Sequence, residues 1–131
     1  MERLPFTNAP RVLVVDDDAD MRLYLRGCLR AFGFQHVLEA ANGEDALRLA
    51  HEPGVALVVS DVVMPGLDGL ALCRTLHADA ATAAIPILLV SGEPRGPSDG
   101  ADGFLAKPFN AASLRAAVER LFTPPAAARP P

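Results

Sequence analysis

The chain is poor in several residue types, and each shortage excludes something. It has no tryptophan, one tyrosine and two cysteines in 131 residues. Cys28 and Cys73 both fall in helical patterns, so neither a disulfide framework nor a cysteine-rich zinc site is expected, and both read as small core residues. No apolar run approaches the ~18 residues needed to cross a membrane. The uninterrupted ones, "VLVV", "VALVV" and "ILLV", have the length of strands. The opening "MERLPFTNAP" holds Glu2 and two prolines and lacks the apolar centre of a signal peptide, so a cytoplasmic location is expected. There is no basic surplus: the formal net charge is −4, which argues against a nucleic-acid surface. Arg22, Arg26 and Arg30 recur four apart, and this stripe reads as the solvated face of a helix. Lysine is the scarcest charged residue. Lys107 is the only one, beside eleven arginines.

What is present is apolar and periodic. Half the residues are hydrophobic and 21% charged, the balance of one globular domain with a closed core. "RVLVVD" (11–16) is a continuous valine-rich run, as in a strand buried on both faces. Met21, Leu25, Cys28, Leu29 and Phe32 then follow helical spacing, with Asp18 placed to cap the start and Gly33 to end it. "HVLEAA" (36–41) is a weaker strand, "NG" a turn, and 44–51 a short helix stopped by "EPG". "VALVVS" (55–60) is the third strand, 70–78 a helix with Asp68 near its start, "IPILLV" (85–90) the fourth strand and "GFLAK" the fifth. A last helix begins after Asn110 and buries Leu114, Ala117, Val118 and Leu121. Residues 1–9 read as an extension, 10–122 as the domain and the Pro/Ala-rich 123–131 as a disordered tail.

Strands alternating with helices imply an α/β fold, a doubly wound five-stranded parallel sheet covered on both faces. Right-handed crossovers place every strand's C-terminal end on one edge, where ligands bind. At these ends stand Asp16, Asp17 and Asp18, then Asp61, then Ser91, then Lys107. Carboxylates ~4 Å apart repel by about 4 kcal/mol at an effective dielectric of 20, so the cluster calls for a cation. Oxygen donors without histidine or cysteine select a hard ion, and Mg2+ suits two or three carboxylates, water and a phosphate oxygen. Asp18 is assigned to the helix cap instead. Asp68 and Gly69 read as a helix start. His36, His51 and His77 have no ligand spacing and read as surface or satisfied residues.

The motifs "VLVVDDD", "LVVSDVVMPGLDG", "ILLVSG" and "GFLAKPF", in this order, resemble the receiver domain of two-component response regulators, over roughly residues 10–122. The resemblance implies the flavodoxin-like strand order 2-1-3-4-5. It implies that Asp61 is the phosphoacceptor, taking a phosphoryl group from the phosphohistidine of a sensor histidine kinase or phosphotransfer protein. It implies Mg2+ held by Asp16, Asp17, Asp61 and the backbone carbonyl of Val63. Ser91 and Lys107 would bind the phosphoryl oxygens, with a cis bond often preceding Pro108. A compact ammonium reaches such an oxygen as a point charge where a planar guanidinium would not fit. Ser91 and Phe104 are the expected switch pair, and Val63 and Glu93 stand where the family tunes phosphoryl lifetime.

One segment departs from the family. "GEPRGPSDGADG" (92–103) is short and rich in glycine and proline, so the fourth helix is expected to be shortened or missing. The downstream partner is then unknown, because the family's usual output surface includes that helix. The function implied is a stand-alone phosphoacceptor that signals to a partner protein and is not a conventional enzyme. Two other readings are a phosphorylation-independent binding module, and a phosphohydrolase working through an aspartyl phosphate. The full set of site residues weighs against the first. Against the second, no acid stands two residues beyond Asp61 and no cap domain is evident. A nucleotide site is disfavoured because three acids, with no glycine-rich loop, follow the first strand.

Overall fold

The computed structural model describes residues 11–92 and 101–122. In chain order these form β1 (Arg11–Val15), α1 (Ala19–Phe32), β2 (His36–Ala40), α2 (Gly43–Ala50), β3 (Val55–Asp61), α3 (Gly69–Ala78), β4 (Ile87–Ser91), β5 (Gly103–Ala106) and α4 (Ala111–Phe122). All strand pairs are parallel, and the sheet order is β2-β1-β3-β4-β5. The expected doubly wound sheet is therefore the fold. Four helices lie among the described residues; of the segment 92–103, where a shortened or missing helix is expected, residues 93–100 lie outside them, as do the extension, the tail and Glu93.

The apolar runs are sorted by alternation, since successive strand side chains point to opposite faces. Val12 and Val14 of β1, Leu57 and Val59 of β3, and Leu88 and Val90 of β4 pack on one side with Leu25, Leu29 and Phe32 of α1 and Leu114 and Val118 of α4. Leu13, Val15, Val58, Ile87 and Leu89 pack on the other with Ala46 and Ala50 of α2 and Leu72, Cys73 and Leu76 of α3. A strand pressed between two helical layers has no solvent face, which is why β1, β3 and β4 read as unbroken hydrophobic runs.

The helix ends follow the expected capping with small differences. Asp18 accepts the Asp20 amide at 2.9 Å, and Gly33 ends α1 at φ 116°. Asn42 does more than turn the chain: its side chain accepts the Asp45 amide at 2.8 Å and caps α2, which starts at Gly43. β4 starts two residues later than its apolar run, because Pro86 has no amide to donate; its carbonyl instead accepts from Val58 at 3.0 Å. The bottom of the sheet is fastened by Asp102. Its amide donates to the Ile87 carbonyl at 3.0 Å and its carboxylate accepts the Ile87 amide at 2.8 Å, while His77 Nε2 lies 3.1 Å away.

His51 joins α2 to the end of α3. Nδ1 lies 2.8 Å from the Leu47 carbonyl and Nε2 2.8 Å from Asp79 Oδ2, an arrangement that needs a proton on each nitrogen. The Leu47 carbonyl, then Asp79, raise the His51 pKa above its ordinary 6.5. A raised histidine contributes stability that is complete below 6.5 and lost as pH climbs through the folded value. Thermal melts of wild type and His51→Gln between about pH 6 and 9 should therefore show the wild-type advantage shrinking as pH rises; a constant or growing difference would contradict the imidazolium bridge.

Candidate functional site

Alternation also aims the functional side chains. Asp16 continues the Val12–Val14 register, and Asp61 continues that of Leu57 and Val59, so both emerge on the α1–α4 side of the sheet edge. Lys107 follows Leu105 in the same phase. The three meet there: Lys107 Nζ lies 3.4 Å from Asp61 Oδ2 and 3.9 Å from Asp16 Oδ2. Asp16, Asp17 and Asp61 offer carboxylate oxygens that all lie within 4.8 Å of one another, and the Lys107–Pro108 bond is cis.

Asp16 is only 2% exposed. Burial pushes its carboxyl above the ordinary 3.8; Asp61 and Asp17 push the same way, while the Asp18 amide, bonded to Oδ1 at 2.9 Å, and the Lys107 ammonium pull it down. A single ammonium does not neutralise three carboxylates. The donor set is all oxygen, partly dry and over-charged, and this suits a hard divalent cation of the Mg2+ type.

Ser91 ends β4 one residue beyond Val90, the register partner of Asp61, and its carbonyl accepts the Lys107 amide at 2.8 Å. It follows Ile87 and Leu89 in phase, the side on which Phe104 packs. The two residues assigned to the switch thus share the α2–α3 face. Val63 stands in the loop after β3 and is 63% exposed.

That loop is gripped from three sides. Met64 is buried in the α2–α3 core, the Leu67 amide donates to Glu44 at 3.3 Å, and the Gly69 amide donates to the Val62 carbonyl at 2.9 Å. Asp68 caps α3 through the Ala71 amide at 2.8 Å, as read from the sequence. Gly69 has a tighter duty than starting a helix: a Cβ there would collide with the Asp61 carbonyl oxygen and the Val62 Cα. One feature of the site escaped sequence reading altogether. Arg22, placed in a solvated stripe, donates through Nη1 to the Asp16 carbonyl at 2.8 Å.

The sequence profile of the response regulator receiver domain matches residues 12–119. The chain is 33% identical over 118 residues to the chemotaxis protein CheY of Pseudomonas aeruginosa, covering 86% of this chain and 95% of that one. Its fold is similar to the structure of chemotaxis protein CheY4 of Vibrio cholerae, with 30% identity, a TM-score of 0.79, and coverage of 87% and 99% of the two chains. It is also similar to the receiver domain of sensor histidine kinase PA1611 from Pseudomonas aeruginosa, solved with magnesium coordinated in the active-site cleft, at 25% identity, a TM-score of 0.79, and coverage of 88% and 98%. This chain belongs to the response regulator receiver domain family.

The contact at Gly69 yields a direct test. Since both obstructing atoms are backbone, Gly69→Ala must push α3 away from the end of β3, at a cost of about 1–3 kcal/mol. Melting should fall by several degrees, and the Asp61 carboxylate should shift enough to impair any chemistry there; a fully stable variant with an unaltered site would refute the steric argument.

Proposed function

We propose that this chain accepts a phosphoryl group on Asp61 from a phosphohistidine of a sensor histidine kinase or phosphotransfer protein, and passes the change to a downstream protein. The observation that supports this most is the convergence at one sheet edge of the Asp61 carboxylate, two further metal-competent carboxylates and the Lys107 ammonium.

An Asp61 oxygen attacks phosphorus in line, a P–O bond forms, the P–N bond breaks, and the imidazole nitrogen keeps the electron pair and is reprotonated by solvent. Asp16, Asp17, Asp61 and the Val63 carbonyl would hold Mg2+, which when bound would neutralise charge on the carboxylates and on the incoming group. Lys107 adds a mobile positive charge that can leave Asp61 Oδ2 for a phosphoryl oxygen, and the Ser91 hydroxyl can donate to another. Little more is asked of the protein than positioning and charge.

A protein donor also has a place to rest. An apolar groove of about 360 Å³, lined by Met21, Tyr24, Lys107, Pro108 and Phe109, opens beside the site. Tyr24 is exposed on its α1 wall. Lys107 belongs to both groove and site, so a helix carrying the phosphohistidine and seated there would bring its imidazole to Asp61. The chain is read as a signalling module of the cytoplasm, and no described helix is long and apolar enough to cross a membrane.

Incubation with Mg2+ and acetyl phosphate, followed by mass spectrometry, should give one hydroxylamine-sensitive phosphate that is absent from Asp61→Asn. Failure to label, or labelling that survives in Asp61→Asn, would overturn the assignment. Rapid turnover of phosphate esters would favour a hydrolase instead. Val63 cannot hydrogen-bond an attacking water, and its exposure allows substitution without repacking. Val63→Asn should speed loss of the phosphoryl group by about five- to tenfold, the worth of roughly one hydrogen bond; an unchanged decay would remove Val63 from the lifetime-setting residues.

A further inference from the structure

The peptide group that joins Asp16 to Asp17 is held from outside the site. Arg22, in the first turns of α1, gives Nη1 to the Asp16 carbonyl at 2.8 Å and Nε to Glu39 Oε1 at 3.1 Å. Glu39 lies on β2 opposite Val14, and its second oxygen takes Arg26 Nη1 at 3.4 Å. The guanidinium is therefore clamped between a neighbouring strand and the turn that carries two of the three carboxylates.

Asp16 has other anchors. Its amide donates to the Ala40 carbonyl at 3.1 Å, and its Oδ1 accepts the Asp18 amide. Asp17 lies past the end of β1 and is exposed, so its direction depends on the backbone. Because a peptide group is planar, fixing the Asp16 carbonyl fixes the Asp17 N–H and restricts where the Asp17 Cα and carboxylate can lie. A bare positive charge beside a cation site would weaken it. The Glu39 carboxylate is shared with Arg26 and so offsets only part of this charge; weaker cation binding on loss of Arg22 would therefore mean that orientation outweighs the repulsion.

We infer that Arg22, backed by Glu39, is a positioning residue for the divalent-cation site, acting through the Asp16–Asp17 peptide. This rests on the cation reading of the acidic edge given above. The planar fork matters, because one ammonium cannot span the carbonyl and Glu39 in the same way.

Magnesium chloride titrated calorimetrically into the full chain tests the inference. Arg22→Ala should raise the Mg2+ Kd about tenfold, at the low end of what outer ligands contribute. Arg22→Lys, which keeps the charge, should also bind more weakly than wild type. Arg30→Ala, which removes a charge from the same stripe, should leave the Kd unchanged. In metal-free protein the Asp17 amide resonance should move in both Arg22 variants while core resonances stay, a signature that general destabilisation would not give. Tighter or equal Mg2+ binding by Arg22→Ala overturns the inference and leaves the cation reading intact, as does full rescue by lysine, which would reduce the role to charge. Weakening by Arg30→Ala of the same size also overturns it. If wild type itself binds no Mg2+, both readings fall together.

Discussion

The site depends on a repulsion. Three carboxylates share one end of the sheet, one of them nearly dry, and the Lys107 ammonium offsets only part of their charge. Left to itself, such a group would spread apart or take up protons, and burial does push Asp16 toward the protonated form. Parallel strands prevent the spreading. Asp16 and Asp61 end neighbouring strands paired in register from Val12 and Leu57 to Val15 and Ser60. The apolar core beneath them therefore supplies the stability that the charged edge consumes, a common division at functional sites. The same stress suits the edge to a divalent cation, on which the proposed phosphoacceptor role of Asp61 rests.

Around that edge the structure is organised by side. The Asp16 and Asp61 carboxylates and Lys107 emerge toward α1 and α4, and the apolar groove beside Lys107 lies on this flank. Ser91 and Phe104 follow the opposite phase, toward α2 and α3. Chemistry and the proposed conformational response thus use different faces of one sheet, joined at the strand ends. Under the proposed function, a change felt by Ser91 would pass along a face that the proposed donor does not cover.

Much of this was legible in the sequence because few alternatives survive burial. Strands covered on both faces must be apolar, so "VLVV", "VALVV" and "ILLV" announced themselves, and an acid at the end of such a run has nowhere to point but the edge. Asp18, Gly33, Asp68 and Asn110 could be assigned because capping is local. What stayed hidden were relations between distant segments. Arg22 looks like Arg26 and Arg30 on a helical wheel, and only the packing of α1 against β1 and β2 distinguishes it. Gly69 looks like any residue in a helix start until the close approach of Asp61 is known. Asp102 sits in a glycine-rich stretch that suggests only a loop, yet it fastens two strands.

That fastening carries a consequence for how the domain can vary. Asp102 grips Ile87 through both main chain and side chain at the very start of β5. The fifth strand's alignment is therefore set at the floor of the sheet, before the chain climbs to the lysine. The ammonium's location is thereby referred to β4 through Asp102. Any change that leaves the two Asp102–Ile87 bonds intact should leave the last strand, and the lysine beyond it, in register with its neighbour.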